Sequence, residues 1–464
     1  MRRFARIWRH WVMEGEWPEY HLDEITELIV DCPHSTPKWT DSGVVVLRNQ
    51  YIRNGRLDLS APSYTTEDGY QDRIKRAVPS TGDLVLTREA PMGEVCQIPE
   101  GLRCCLGQRM VLIRANQGII DPKYLLFALQ SPYLKHQISW NEGTGTTVSN
   151  IRIPYLKAFN IPTPPLSEQK AIAYILGTLD DKIELNRQMN ATLEAMAQAL
   201  FKSWFVDFGP VIDKALAAGN PIPEPLHKKA EARRALGDRR KSLPADIVQH
   251  FPNRFVFSKE VGWVPEGWET GKFGDVASHV RAAVKAKEVE DYDFYIGLEH
   301  IGKMQLFLND NSSGASVNSN KSGFEEKDLL FGKLRPYFHK VCIAPRQGIC
   351  STDILVFRAK SNVFHSYMIL TAFTEKFVDY ANMRSTGTRM PRASAKDILE
   401  YAVPIPPEKF SGSFDCILAP MWEKGMDSMR NGHELGNLRD TLLPKLLSGQ
   451  LRLSEAEKLV TEAT

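Results

Sequence analysis

A chain of 464 residues is too long for one ordinary core, so two or three domains are the starting expectation. Hydrophobic content of 43% and charged content of 25% are ordinary for a soluble globular protein, and no apolar run approaches the roughly 18–20 residues needed to span a bilayer. The formal net charge of +2 gives no basic coat, but counterion release depends on local cationic grooves, so nucleic-acid binding stays open. The cysteines (Cys32, Cys96, Cys104, Cys105, Cys342, Cys350 and Cys416) are odd in number and none is spaced as a metal pair. That excludes a disulfide framework, gives no metal site and points to a reducing cytoplasm.

Residues 1–16 form a basic, aromatic lead in which Phe4, Ile7, Trp8 and Trp11 fall at helical spacing. A short helix packed on the body is the simpler reading than a membrane or DNA arm. From Trp17 to Leu166 a mixed α/β unit is expected. Gly43–Leu47, Leu84–Thr87 and Met110–Arg114 read as strands, Tyr124–Gln130 as a short buried helix, and Ile161–Pro165 as a Pro-rich edge strand. Ser167 is a plausible N-cap for a long helix over 167–208. Ile172, Leu176, Leu179, Ile183, Asn186, Asn190, Leu193, Ala197, Leu200 and Trp204 recur every three or four residues, which is a coiled-coil seam. About forty helical residues would span roughly 60 Å before Phe208-Gly209-Pro210 ends them. Residues 209–260 are rich in Pro, Ala and basic residues and read as a linker with one short helix.

Beyond residue 260 the chain repeats its first part. Trp17 and Ile25 align with Trp268 and Val276 at an offset of 251, Asp83 and Arg88 with Asp328 and Lys333 at 245, and Arg114 with Arg358 at 244. Thr144-Gly145-Thr146 aligns with Thr386-Gly387-Thr388, and Pro164-Pro165 with Pro406-Pro407, both at 242. The offset falls in one direction and the order is kept, which chance would not produce. A second mixed unit is therefore expected over 261–408, including a short buried helix at Tyr367–Phe373. A second helical region over 409–450 is interrupted by Gly425, Gly432 and Gly436 but recovers a stripe at Leu435, Leu438, Leu442 and Leu446; a tail, 451–464, completes the chain. The first seam needs a partner and the second helix is the intrachain candidate. The fold class is thus α+β: two repeated mixed α/β domains separated by two long antiparallel helices, with pseudo-two-fold symmetry within one chain.

Catalytic signatures are missing. Thr163-Pro164-Pro165 and Ile405-Pro406-Pro407 lack the amide or carboxylate that precedes the prolines of a methyltransferase loop, and there is no GxxxxGK[ST] phosphate loop. The better lead is the set of polar loops inside each copy. In the first copy these are Arg48, Asn49, Gln50 and Tyr51; Arg88; Gln108 and Arg109; and Thr144, Gly145, Thr146, Thr147, Asn150 and Arg152. In the second they are His300; Lys333, Arg335 and Tyr337; and Thr386, Gly387, Thr388, Arg389 and Arg392. Arg, Asn and Gln can pair bidentately with base edges, and Gly-Thr amides suit phosphate. Turns with solvated side chains are the plainer alternative for any one of these residues.

The run from Leu179 through Asn186-Arg187-Gln188-Met189-Asn190 to Trp204-Phe205-Val206-Asp207-Phe208 resembles the central helix of type I restriction–modification enzyme specificity subunits. Leu438-Arg-Asp-Thr-Leu442-Leu-Pro-Lys-Leu-Leu-Ser-Gly-Gln450 is similar to their C-terminal helix. Gly262–Trp268 resembles the entry to their second recognition domain, and Pro165–Gln169 the exit from the first. The resemblance implies that residues 17–166 and 261–408 are target-recognition domains, each reading one half of a split asymmetric site in double-stranded DNA. It implies that the helices dock two modification (methyltransferase) subunits, joined by two restriction (motor and nuclease) subunits. The chain itself would then hold no cofactor, with S-adenosylmethionine, Mg and ATP carried by those partners. Asn186 and Asn190 on the seam either set helix register or meet a modification subunit. A stand-alone DNA-modifying enzyme and a structural coiled-coil adaptor are the competing readings.

Overall fold

Strands form where β-branched and aliphatic residues run between Gly, Pro and Asp, and the helices where apolar residues recur at three and four. The computed structural model describes residues 17–140, 150–237, 243–308, 310–387 and 389–464. The lead, 1–16, lies outside them. The chain divides into two compact units: the described residues through Lys182 with Glu434–Thr464, and Ile183–His433.

In the first unit, Thr26–Asp31, Met110–Ala115, Leu84–Thr87 and Val95–Gln97 form a four-stranded antiparallel sheet in that order. A second sheet is built on the parallel pair Val44–Leu47 and Cys104–Leu106. Entry and exit are tied together: Glu19–His21 pairs antiparallel with Asn160–Pro162. The helix Pro122–Gln130 is buried along most of its length, and its Tyr124 hydroxyl donates to the Pro162 carbonyl at 2.7 Å. This unit also holds the start of one long helix and the end of the other. Ile172, Leu176 and Leu179 of the former and Leu435, Leu442 and Leu446 of the latter are buried, and Leu438 is half-buried. Arg439 holds Asp180 at 2.7 Å beside them.

The second unit repeats the scheme. Ala277–Val280, Ile354–Ala359, Leu329–Gly332 and Val341–Ile343 form a sheet of the same order and sense. Tyr295–Ile296 and Gly348–Ser351 supply the parallel pair, and Glu269–Lys272 pairs with Ala402–Ile405. Tyr367, on the buried helix His365–Ala372, donates its hydroxyl to the Pro404 carbonyl. The duplication extends to single ion pairs. Arg114 grips Asp83 through Nε and Nη2 at 2.8 Å each, and Arg358 grips Asp328 through the same atoms at 2.7 Å. The copies differ in where further strands attach: Ser63–Thr65 adds to Val44–Leu47 in the first, whereas Lys321–Phe324 adds to Gly348–Ser351 in the second.

The first long helix runs Leu166–Phe201 and continues through a π-helical turn, Lys202–Val206, until Phe208 adopts a left-handed conformation. It begins one residue earlier than expected, so Ser167 lies in the first turn and is not its cap. Within the second unit Ile183, Asn190, Ala197 and Trp204 are buried, and Leu193 and Leu200 are half-buried against the same core. Asn186 donates to Asn431 at 2.8 Å, Met189 meets Ser428, and Trp204 lies 5.3 Å from both Phe410 and Phe414. Rising numbers on one helix meet falling numbers on the other, so the pairing is antiparallel.

Three expectations are corrected. The second long helix, Glu408–Leu447, is continuous through all its glycines and Pro444. Gly425 is there because the Phe307 ring packs where a side chain would start: a Cβ would come within 2.2 Å of it. Residues 209–260 are not a linker with one short helix. They form the helices Gly209–Ala217, His227–Leu236 and Ala245–Val248 and the strand Phe255–Ser258, which pairs with Gly262–Pro265. Val211, Ile212, Leu226, Ala230 and Phe251 are buried in the aromatic core around Trp204, so apolar burial holds this segment despite its prolines and lysines. Structure therefore begins before residue 261, the expected start of the second domain. The tail is mostly helix, Leu453–Ala463, with Ala456 and Val460 buried.

Candidate nucleic-acid interface

In each copy the residue after the central strand is held between the same two loops. Arg88 donates its N–H to the Arg109 carbonyl at 2.8 Å and accepts from the Ile151 N–H at 3.2 Å. Lys333 donates to the Asp353 carbonyl at 2.9 Å and accepts from Ala393 at 3.0 Å. These pairs stand at offsets of 245, 244 and 242, so the drift seen in the sequence is reproduced bond by bond. The backbone frame is common, and what it carries is different. Arg109 is exposed and lies 3.3 Å from Glu89, whereas its counterpart Asp353 accepts from Arg392 at 3.1 Å. A cation in one copy is an anion in the other.

Several expected base readers are instead held by the protein. Arg88 makes a two-oxygen ion pair with Asp31 at 2.8 and 2.7 Å and donates Nε to Ile151; its side chain is only 11% exposed. Tyr51 is buried with its hydroxyl on Ser63. The amide of Asn49 donates to the Ala90 carbonyl at 2.6 Å, and Gln108 donates to the His34 carbonyl at 2.5 Å. His300 keeps 10% exposure and accepts from the Gly297 N–H through Nδ1. The desolvated Arg88–Asp31 pair would have to be broken before Arg88 could meet a base, and the other groups would have to give up the partners that hold them, so geometry assigns them to the frame.

Other candidates face outward. Gln50 and Arg152 are exposed in the first copy. Arg48 is half-buried, stacks over Trp39 at 5.2 Å, and with Tyr64 and Asp41 lines a cleft of about 330 Å3. In the second copy Tyr337, Thr386, Gly387, Arg389 and Arg392 are exposed and Lys333 and Arg335 half-buried. Thr386 and Arg392 exchange both backbone hydrogen bonds, closing the loop that carries Arg389. Gly387 has φ 104°, which the absence of a side chain permits. Arg335 donates Nη2 to the Arg389 carbonyl at 3.5 Å, while its Nε is buried with no partner among the described residues. Asn150 Oδ1 is likewise buried without one. Thr144, Gly145, Thr146, Thr147 and Thr388 lie outside the described residues.

Sequence reading reached the loop of Asp353 but missed the acidic partner Asp31 and the aromatic floor at Trp39 and Tyr64. Nothing local marks Asp31, which reaches Arg88 across 57 residues. Among the described residues no cluster of His, Cys, Asp and Glu could hold a metal, and no helix is long and apolar enough to cross a membrane.

Residues 14–195 and 265–409 match the family model described as type I restriction modification DNA specificity domain. The chain is 27% identical over 429 residues to the type I restriction enzyme MjaIX specificity subunit of Methanocaldococcus jannaschii, covering 92% of this chain and 88% of that protein. It is 24% identical over 382 residues to the type I restriction enzyme HindI specificity subunit of Haemophilus influenzae, covering 74% and 80%. Among solved structures it is similar to the S subunit of a type I restriction–modification system from M. genitalium. There the TM-score is 0.47 at 17% identity, covering 93% of this chain and 96% of that one.

Proposed function

The chain belongs to the type I restriction–modification DNA specificity family, and from that premise we propose that its two repeats each read one half of a bipartite, asymmetric DNA site. It is a DNA-recognition subunit. The observation that supports separate half-sites is the common frame at Arg88 and Lys333 carrying opposite charge at Arg109 and Asp353. One scaffold used twice with different side chains gives two different specificities. Arg109, Arg152, Arg389 and Arg392 are exposed cations able to meet phosphate or a guanine edge.

The long helices space the domains and dock two modification subunits, and two restriction subunits complete the nuclease. S-adenosylmethionine, Mg and ATP belong to those partners, in the cytoplasm. The Asn186–Asn431 hydrogen bond favours helix register over partner contact as the role of Asn186.

Co-expression with the cognate modification subunit, followed by sequencing of methylated adenine, tests this reading. A bipartite motif is expected. Exchanging residues 17–165 for those of another family member should change one half and leave the other. Two unchanged half-sites would overturn it.

A further inference from the structure

The turn Pro336–Phe338 is bounded on both sides by non-glycine residues in the left-handed region, Arg335 at φ 51° and His339 at φ 50°. Such residues persist only where their surroundings over-determine them. Here they do. Arg335 donates its N–H to the Pro391 carbonyl at 2.7 Å, and Phe338 donates to the Arg335 carbonyl at 3.0 Å. Pro336 is buried, and the buried His339 ring bonds the Phe373 carbonyl at 2.9 Å. This tightly held turn leaves two aromatic side chains in solvent. Tyr337 is 49% and Phe338 41% exposed, with ring centroids 4.7 Å apart. Met304, whose N–H donates to the His339 carbonyl, and Met390, next to Arg389, are also exposed.

An exposed apolar cluster marks a contact surface, and its rim indicates the occupant. Lys333 and Arg335 precede the turn, and Arg389 and Arg392 stand on the loop hydrogen-bonded to it. Asp353 is engaged by Arg392, and the acids beside it are Glu375 and Asp379, exposed on the helix packed on the turn. Cations around protruding rings fit a phosphate backbone flanking a stack of bases. Rigid apolar wedges of this kind enter base steps, and flexible pyrimidine–purine steps yield to them most readily. At the same offset the first copy has Met92 and Gly93 in place of Tyr337 and Phe338.

We propose that Tyr337 and Phe338 form an aromatic wedge that enters one base step of the half-site read by the second domain, with Arg389 and Arg392 on the adjoining phosphates. The proposal rests on the assignment of that domain as a DNA reader. It adds to edge reading a selection by deformability, in one half-site only.

The test uses the full chain assembled with its modification subunit and duplexes of the methylated motif carrying 2-aminopurine at successive steps. Apart from the methylated adenines, which the modification subunits take out of the stack in either half, fluorescence should rise at one step of the second domain's half-site and at none in the other. Tyr337→Ala with Phe338→Ala should abolish the rise, weaken binding about tenfold and relax methylation specificity in that half alone. Phe338→Trp, which keeps a flat ring, should retain the rise. No brightened step besides the methylated adenines with the unaltered chain, or a rise at that step undiminished in the double variant, overturns the wedge. Loss of co-elution with the modification subunit at unchanged fluorescence would overturn it in favour of protein docking. A complex that selects no motif at all overturns instead the DNA-reading assignment beneath it.

Discussion

Glu194 lies on the first long helix with its carboxylate buried, where Oε2 accepts from the Leu306 N–H at 2.9 Å and Oε1 from Gln198 at 3.0 Å. Burial pushes its carboxyl up to about 7 from the ordinary glutamate value of 4.5, the two hydrogen bonds opposing only part of that rise. A carboxyl raised on folding contributes stability that is fully present below pH 4.5 and is lost as pH rises through about 7. Between 4.5 and about 7, at about 1.4 kcal/mol for each tenfold change in proton affinity, the loss is roughly 3–4 kcal/mol. Glu194→Gln keeps an oxygen for Leu306 and removes the charge, and the Gln198 amide can turn to match it. The variant should therefore be about 2–3 kcal/mol more stable than the unaltered chain at pH 8 and nearly equal at pH 4.5. Urea unfolding followed by tryptophan fluorescence reads this directly, since Trp204 and Trp422 are buried in the same core as Leu306. Parallel stability curves between pH 5 and 8, or a variant weaker at pH 8, would refute the reasoning.

Asn431→Ala leaves the half-buried Asn186 amide without its partner and should cost about 1 kcal/mol in urea unfolding; replacing both by Leu should raise stability while loosening helix register, seen as heterogeneous inter-helix cross-linking. Removing Arg358 strands Asp328, which is 2% exposed, and should destabilise the second unit by about 3–5 kcal/mol in hydrogen exchange; Arg358→Lys should restore it only in part, because an ammonium lacks the planar fork by which Nε and Nη2 donate in parallel to the two oxygens. Arg88 and Arg152 of the first copy should separate by assay. Arg88→Ala should lower the melting temperature, whereas Arg152→Ala should leave it unchanged and reduce the slope of log affinity against log salt by about one.

The repeat, the seam and the buried helices at Tyr124 and Tyr367 were legible in the sequence because each is a periodic or duplicated pattern of side-chain volume and polarity. Burial imposes such patterns locally. The segment 209–260 was misread because composition speaks of average solvation. Val211, Ile212, Leu226 and Phe251 are few, yet each is placed to enter a core supplied from elsewhere. The glycines of the second helix looked like interruptions for a similar reason: what Gly425 accommodates is Phe307, distant in sequence. At the interface the loops could be located in advance, but their roles could not. Arg88 and Arg152 look alike as residues, and only the tertiary fold brings Asp31 to one and leaves the other exposed. By itself, the sequence determined that one domain occurs twice and is joined to long helices, since both come from order along the chain. Which cations remain available to DNA was decided by tertiary structure alone, because an ion pair depends on distance in space and its partners can be any number of residues apart.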